Sequence, residues 1–149
     1  MAQRHEPRSG SNAKLGGLKR ADYRTLAQFR YLLRKFGSFS EAAAQAEGLS
    51  AQSHQALLAI HGHPAAEAVT IGALSERLNI RHHSAVGLVD RLAARRLVRR
   101  TRDPQDGRRV HLALRPEGRV LLARLSRVHR DELRRIGPTL KRLLAQVGR

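Results

Sequence analysis

Apolar side chains recur three and four residues apart along Leu26, Phe29, Leu32, Leu33 and Phe36, the spacing that lines one side of a helix. Gly37-Ser38 interrupts the pattern, and Ala42 to Ala46 resumes it. The spacing predicts a helix over about 22–47, capped by Asp22 and bent or broken near Gly37. Gly48 suits the position just past its end. Ser50 is the expected cap of a second helix carrying Leu57, Leu58 and Ile60 and stopping at Gly62 and Pro64; 61–69 reads as a loop. Thr70 caps a short third helix with Ile71, Leu74 and Leu78 on one face. A tight turn at Asn79-Ile80 leads to a fourth, from about His82 to Arg96, which turns Ala85, Val86, Val89 and Leu92 inward. Two short helices joined by such a turn form a helix-turn-helix.

The period then changes. Val110, Leu112 and Leu114 alternate with His111 and Ala113, as in a half-buried strand. Leu97 to Arg102 supplies a second strand, and the turn formers of Asp103-Pro104-Gln105-Asp106-Gly107-Arg108 join the two. The result is a hairpin with a long basic tip. Pro116 suits the first position of a last helix, whose stripe runs from Leu122 to Val147, with a kink or break expected at Gly137-Pro138. The fold class is therefore mainly α with a small β-hairpin wing: residues 1–20 as a disordered basic tail, 21–62 and 116–149 as helical elements, and 70–114 as a winged helix-turn-helix.

Charge narrows the partner. The 149 residues hold 29 Lys and Arg against 12 acidic residues, a net +17 with His neutral, so the surface attracts polyanions, nucleic acid foremost. A high-GC genome that favours Arg codons is the bland alternative. The absence of cysteine excludes disulfides, CxxC zinc sites and thiol switches. No apolar run is long enough to span a membrane, and the charged N-terminus lacks the apolar stretch of a signal peptide, so the expected address is cytoplasmic. No GxSxG, Walker loop or HExxH occurs, so no enzyme and no cofactor are expected. His54 and His61 share a helix face, and His63 follows, but no acid cluster completes a ligand shell; no metal is expected, and solvated or core-edge histidines are the default.

Leu74 and Leu78, Val89-Asp90-Arg91-Leu92, Leu97-Val98-Arg99-Arg100, then Asp103, Asp106 and Arg108, and finally Leu114 with Gly118 follow one another at fixed spacing. In this the chain resembles MarR-family transcriptional regulators over residues 22 to 149. The resemblance implies an obligate homodimer built on the first and last helices (the 21–62 and 116–149 elements), double-stranded DNA as partner, and repression relieved by a small-molecule effector. The chain departs from the family pattern at three places. Arg81 stands where Ser or Thr often caps the recognition helix, which would shift capping toward Asn79 or Ser84. Arg96 replaces the usual Gly, and Arg115 replaces the Thr before the last helix.

A recognition helix presents its first turn to base edges, which nominates Arg81, His82, His83, Ser84 and Gly87, with Arg91 reaching a phosphate. Gly87 would permit close approach to the duplex. In the wing, Arg108 suits the narrow minor groove. Asp106 would pair with Arg108 or Arg102, Asp90 would form an internal salt bridge, and Arg100, Arg102 and Arg109 suit phosphates. Phe36, Phe39 and His54 are the candidate lining of an effector pocket. The competing reading is a sequence-tolerant architectural DNA binder.

Overall fold

The structure is a computed structural model that describes residues 17–64 and 68–147. Five helices and three strands follow in the order α1 (Arg20–Ala46), α2 (Ala51–His61), β1 (Val69–Thr70), α3 (Ile71–Leu78), α4 (His82–Ala94), β2 (Val98–Arg102), β3 (Val110–Leu114) and α5 (Pro116–Val147). The tail expected over 1–20 lies mostly outside the described residues; within them the chain is already helical at Arg20.

Each helix end has a local cause. Lys19, not Asp22, is the N-cap of α1. Asp22 instead sits three residues on, and its carboxylate accepts the Lys19 backbone N–H at 2.7 Å. The Gly37 break is not formed, and α1 is continuous through it. Ser50 and Thr70 cap α2 and α3 as expected, accepting the N–H of Ser53 at 3.0 Å and of Ala73 at 3.1 Å. Three helices close in the same way, through a residue in the left-handed region followed by a long backward hydrogen bond. Those residues are Gly48 (φ 72°), Asn79 (φ 51°) and Arg96 (φ 57°), and the bonds run from Leu49 to Ala44, Ile80 to Ser75 and Leu97 to Leu92. The fourth helix thus ends at Ala94, short of the expected Arg96, because the closure consumes its last residues. α5 runs unbroken through Gly137-Pro138, so the expected break is also absent.

The sheet has the order β1-β3-β2, antiparallel throughout. β1 joins Val69, the last residue of the expected loop, to the capping Thr70: Val69 pairs with Leu112 and Thr70 with His111. Two residues are too few to show alternation in sequence, and only β3 makes them a strand. Leu57, Leu74, Leu88, Val89, Leu92 and Val98 are fully buried, with Leu112 and Leu114 from β3 and Leu121, Leu122 and Leu125 from α5 completing one core. This core seats the winged lobe against α2 and the start of α5.

α1 and α5 run antiparallel along their length. Thr25 Oγ1 donates to Gln146 Oε1 at 3.3 Å at one end, and Arg124 holds both oxygens of Glu47 at 3.2 and 3.0 Å at the other. Among the described residues, no helix is long and apolar enough to cross a membrane.

Candidate nucleic-acid interface

The first turn of α4 is open. Arg81 is its N-cap and makes no side-chain capping bond. Capping does not shift to Asn79 or Ser84: Asn79 is used in closing α3, and Ser84 lies inside the helix. Arg81, His82, His83 and Ser84 are all exposed, while Ala85, Leu88, Val89 and Leu92 anchor the opposite face. The helix therefore offers unsatisfied backbone N–H groups and polar side chains at its positive end. Gly87 is half-buried beside Arg91, and a Cβ there would meet the Arg91 guanidinium at an ordinary 3.6 Å. Nothing inside the protein demands glycine at this position.

The wing projects next to this turn. Asp103 N–H donates to the Arg109 carbonyl at 2.9 Å, and Arg109 N–H to the Asp106 carbonyl at 3.0 Å. Asp103 organises the tip: one oxygen accepts the N–H groups of Gln105 (2.8 Å) and Asp106 (3.3 Å), and the other lies 3.2 Å from His111 Nε2. These bonds, led by that from Gln105, hold its carboxyl below the usual aspartate range, with His111 and Arg109 adding to the shift. Asp106 does not pair with the side chain of Arg108 or Arg102. Its carboxylate accepts the Arg108 backbone N–H at 3.1 Å, because a short side chain two residues earlier in a tight turn reaches the main chain first. Asp103 is the residue whose role sequence reasoning missed. The turn-former run contained it, but its three contacts depend on the fold of the tip and on His111.

Asp90 forms its expected salt bridge, with Arg100 of β2. The pair ties α4 to the wing and occupies the Arg100 guanidinium. Arg102, Arg108 and Arg109 are exposed and form no ion pair among the described residues. His82, Arg108 and Arg109 line one cleft of about 230 Å³ with Thr70, Ile71, Gly72 and Val110. The fold thus brings the two nominated groups, helix turn and wing, to one place.

Of the pocket candidates, Phe36 and His54 line a groove of about 710 Å³ with Leu58, His129, Leu133 and Arg134. Phe39 stacks on Phe36 at 6.3 Å but opens into a separate groove of about 560 Å³ with Ala42, Ala46 and Arg124. His54 is 3% exposed and its ring lies 4.6 Å from that of His129, so it is buried in the wall of the groove, at the edge of the core. His129 Nδ1 faces the Leu125 carbonyl and Nε2 faces Ser40 Oγ, each at 2.7 Å. The carbonyl only accepts, so the neutral ring carries its proton on Nδ1 and takes the Ser40 hydroxyl at Nε2. His54 Nδ1 has no hydrogen-bond partner among the described residues. Burial, and then the neighbouring His129, push the His54 pKa down. Among the described residues, no cluster of three or more metal-ligating side chains forms.

A helix-turn-helix with an adjoining antiparallel wing defines a winged helix-turn-helix protein. Residues 47–109 match the model of the MarR family. Solved structures with this fold include FabT of Streptococcus pneumoniae in complex with DNA, at 20% identity and a TM-score of 0.68 over 76% of this chain and 80% of that one. CouR from Rhodococcus jostii RHA1 bound to p-coumaroyl-CoA is 25% identical, with a TM-score of 0.65 over 78% of this chain and 81% of that one. MepR, a transcription regulator of the Staphylococcus aureus multidrug efflux pump MepA, is 15% identical, with a TM-score of 0.68 over 80% and 96%. No curated protein sequence matches the chain. The chain thus resembles the MarR family over residues 47–109 and shares the fold of these solved structures.

Proposed function

We propose that this protein is a sequence-specific, non-enzymatic DNA-binding regulator of transcription, acting as a homodimer that represses a nearby promoter and is released by a small-molecule effector. The observation that carries the DNA reading is the open first turn of α4 set beside an arginine-rich wing, with His82, Arg108 and Arg109 around one cleft. Arg81, His82, His83 and Ser84 read base edges, with Gly87 allowing the duplex close and Arg91 meeting a phosphate. Arg108 enters the minor groove, and Arg102 and Arg109 contact phosphates. Arg100 acts through Asp90, setting the angle between helix and wing.

Residues 21–62 and 116–149 form the dimerisation region in this reading, and 70–114 the DNA-binding lobe. Its support is the apolar surface that α1 and α5 leave open: Leu26, Leu33, Leu133 and Leu144 are each more than two-fifths exposed, and a second copy would cover them. FabT was solved with DNA and CouR with p-coumaroyl-CoA. The effector is assigned here to the groove of Phe36, His54 and His129, which adjoins both α2 and α5. Selection of bound fragments from genomic DNA, followed by titration of the selected site and its scrambled version, tests the reading. Equal affinity for the two would leave only an architectural DNA binder.

A further inference from the structure

The positive charge is not concentrated on the winged lobe. Residues 69–115 hold eleven basic and four acidic residues, a net +7. α1 and α5 together hold thirteen and five, a net +8. Half of the charge expected to hold DNA therefore sits on the two helices that the proposed function gives to dimerisation.

That charge is ordered. On α1, Arg20, Arg24, Arg30, Arg34 and Lys35 are exposed and form no ion pair among the described residues. At about 100° per residue they fall within an arc of about 140°, opposite the stripe of Leu26, Phe29, Leu33 and Phe36. The one acid between Arg20 and Lys35, Asp22, lies on the far side of the helix and is engaged with the Lys19 N–H. On α5, Asp131 and Glu132 are matched by Arg130 and Arg135. Arg127, Arg134, Lys141 and Arg142 remain exposed and unmatched, within an arc of about 100°. α1 and α5 lie antiparallel and in contact from Thr25–Gln146 to Glu47–Arg124, and each stripe lies on the face of its helix turned away from that contact, opposite Phe36 on α1 and opposite Leu125, Ile136 and Leu143 on α5.

Such a stripe works against folding. Arg20 and Arg24, and Arg30 and Arg34, stand four apart, a spacing at which like charges destabilise a helix. A polar face that served only solvation would be better built with alternating signs. A polyanion with a regular charge repeat relieves the repulsion and releases counterions. We infer that the basic stripes on the two outer sides of the α1–α5 pair form a second set of DNA contacts, which bind the phosphate backbone of duplex outside the operator without reading its sequence. The inference rests on the DNA-binding reading above but uses none of the winged-lobe residues.

The test compares the wild type with a variant carrying Arg30→Gln, Arg34→Gln, Arg127→Gln and Arg134→Gln, on an operator duplex of about 20 bp, the span of two half-sites, and on one of about 60 bp. The substituted residues are exposed, and thermal unfolding should be unchanged or slightly raised. The wild type should bind the long duplex more tightly and with a steeper salt dependence than the short one. The variant should lose that advantage, with the slope of log K against log salt falling by about 2 to 4 on the long duplex and unchanged on the short one. Arg108→Ala supplies the opposite control, weakening the short duplex while sparing the long-duplex increment. Equal behaviour of wild type and variant on both duplexes would overturn the second set of contacts and leave the winged reading intact. Loss of short-duplex binding in the stripe variant would overturn it too, since the stripes would then belong to the operator site. Capture of wild type but not variant by vesicles containing about one-third anionic lipid, with DNA binding unchanged, would assign the stripes to a membrane instead.

Discussion

Asp103 and His111 face each other across the base of the wing, with Oδ2 3.2 Å from Nε2, while Asp103 Oδ1 takes two backbone N–H groups from the tip. The carboxylate thus joins β3 to the turn that carries Arg108. Asp103→Ala should free the tip and weaken operator binding about 5- to 10-fold, the scale of losing one specific contact. Asp106→Ala, which removes a single bond to the Arg108 N–H, should cost less. Titration of both variants on one operator duplex decides between them; a larger loss at Asp106 would contradict this account of the wing.

Gly87 separates folding from binding. The protein leaves room for a Cβ at this position, and Ala favours a helix over Gly by up to about 1 kcal/mol. Gly87→Ala should therefore raise the unfolding midpoint while weakening operator binding. Chemical denaturation and a binding titration on the same sample check the opposed signs. If both rise together, the duplex does not approach α4 at this residue.

Gly118 is required for a different reason. A Cβ there would collide with the carbonyl oxygen of Leu97, and that carbonyl already accepts the Arg115 N–H at 2.9 Å. Backbone on both sides leaves little room to yield. Gly118→Ala should cost about 1–3 kcal/mol, the usual penalty of overpacking, read from the urea midpoint.

Arg96 is the reverse case. Its φ of 57° lies in the left-handed region, where a side chain costs about 1–2 kcal/mol and glycine costs little. Arg96→Gly should stabilise the fold by about 0.5–1 kcal/mol after the greater freedom of the unfolded glycine is subtracted. Differential scanning calorimetry at fixed pH checks the sign.

The fold was legible where one local pattern decided it. Ser50, Thr70, Gly48 and the alternation of β3 each announce their role in a few residues, and the structure has each in place. The Asp103, Asp106, Arg108 spacing carried the family resemblance of the hairpin that the alternation had already marked. Readings failed where distant packing overrode local preference. Gly37 and Gly137-Pro138 suggest breaks, yet α1 and α5 support one another along their length and both run through. β1 exists only because β3 is there to pair with it. His54 sits at the core edge, one of its two expected places, but its burial against His129 could not be read before α5 was placed.

That contact makes stability depend on pH. Burial and His129 lower the His54 pKa in the fold, so the unfolded chain takes up its proton first as pH falls. The neutral ring therefore stabilises the fold above the ordinary histidine value of about 6.5, and this contribution is lost as pH drops through that value toward the lower folded one. Unfolding midpoints from pH 8 to 5 should fall more steeply for the wild type than for His54→Leu. Parallel curves would show that the ring titrates freely.

The central claim is sequence-specific DNA binding by the α4 turn and the wing. It is tested most directly by competition at physiological salt, in which a genomic fragment selected by the protein is challenged with random duplex. A preference of about a thousandfold or more is expected of a specific regulator, and it should collapse in an Arg81→Ala, Arg108→Ala double variant. Equal competition by random duplex would contradict the account.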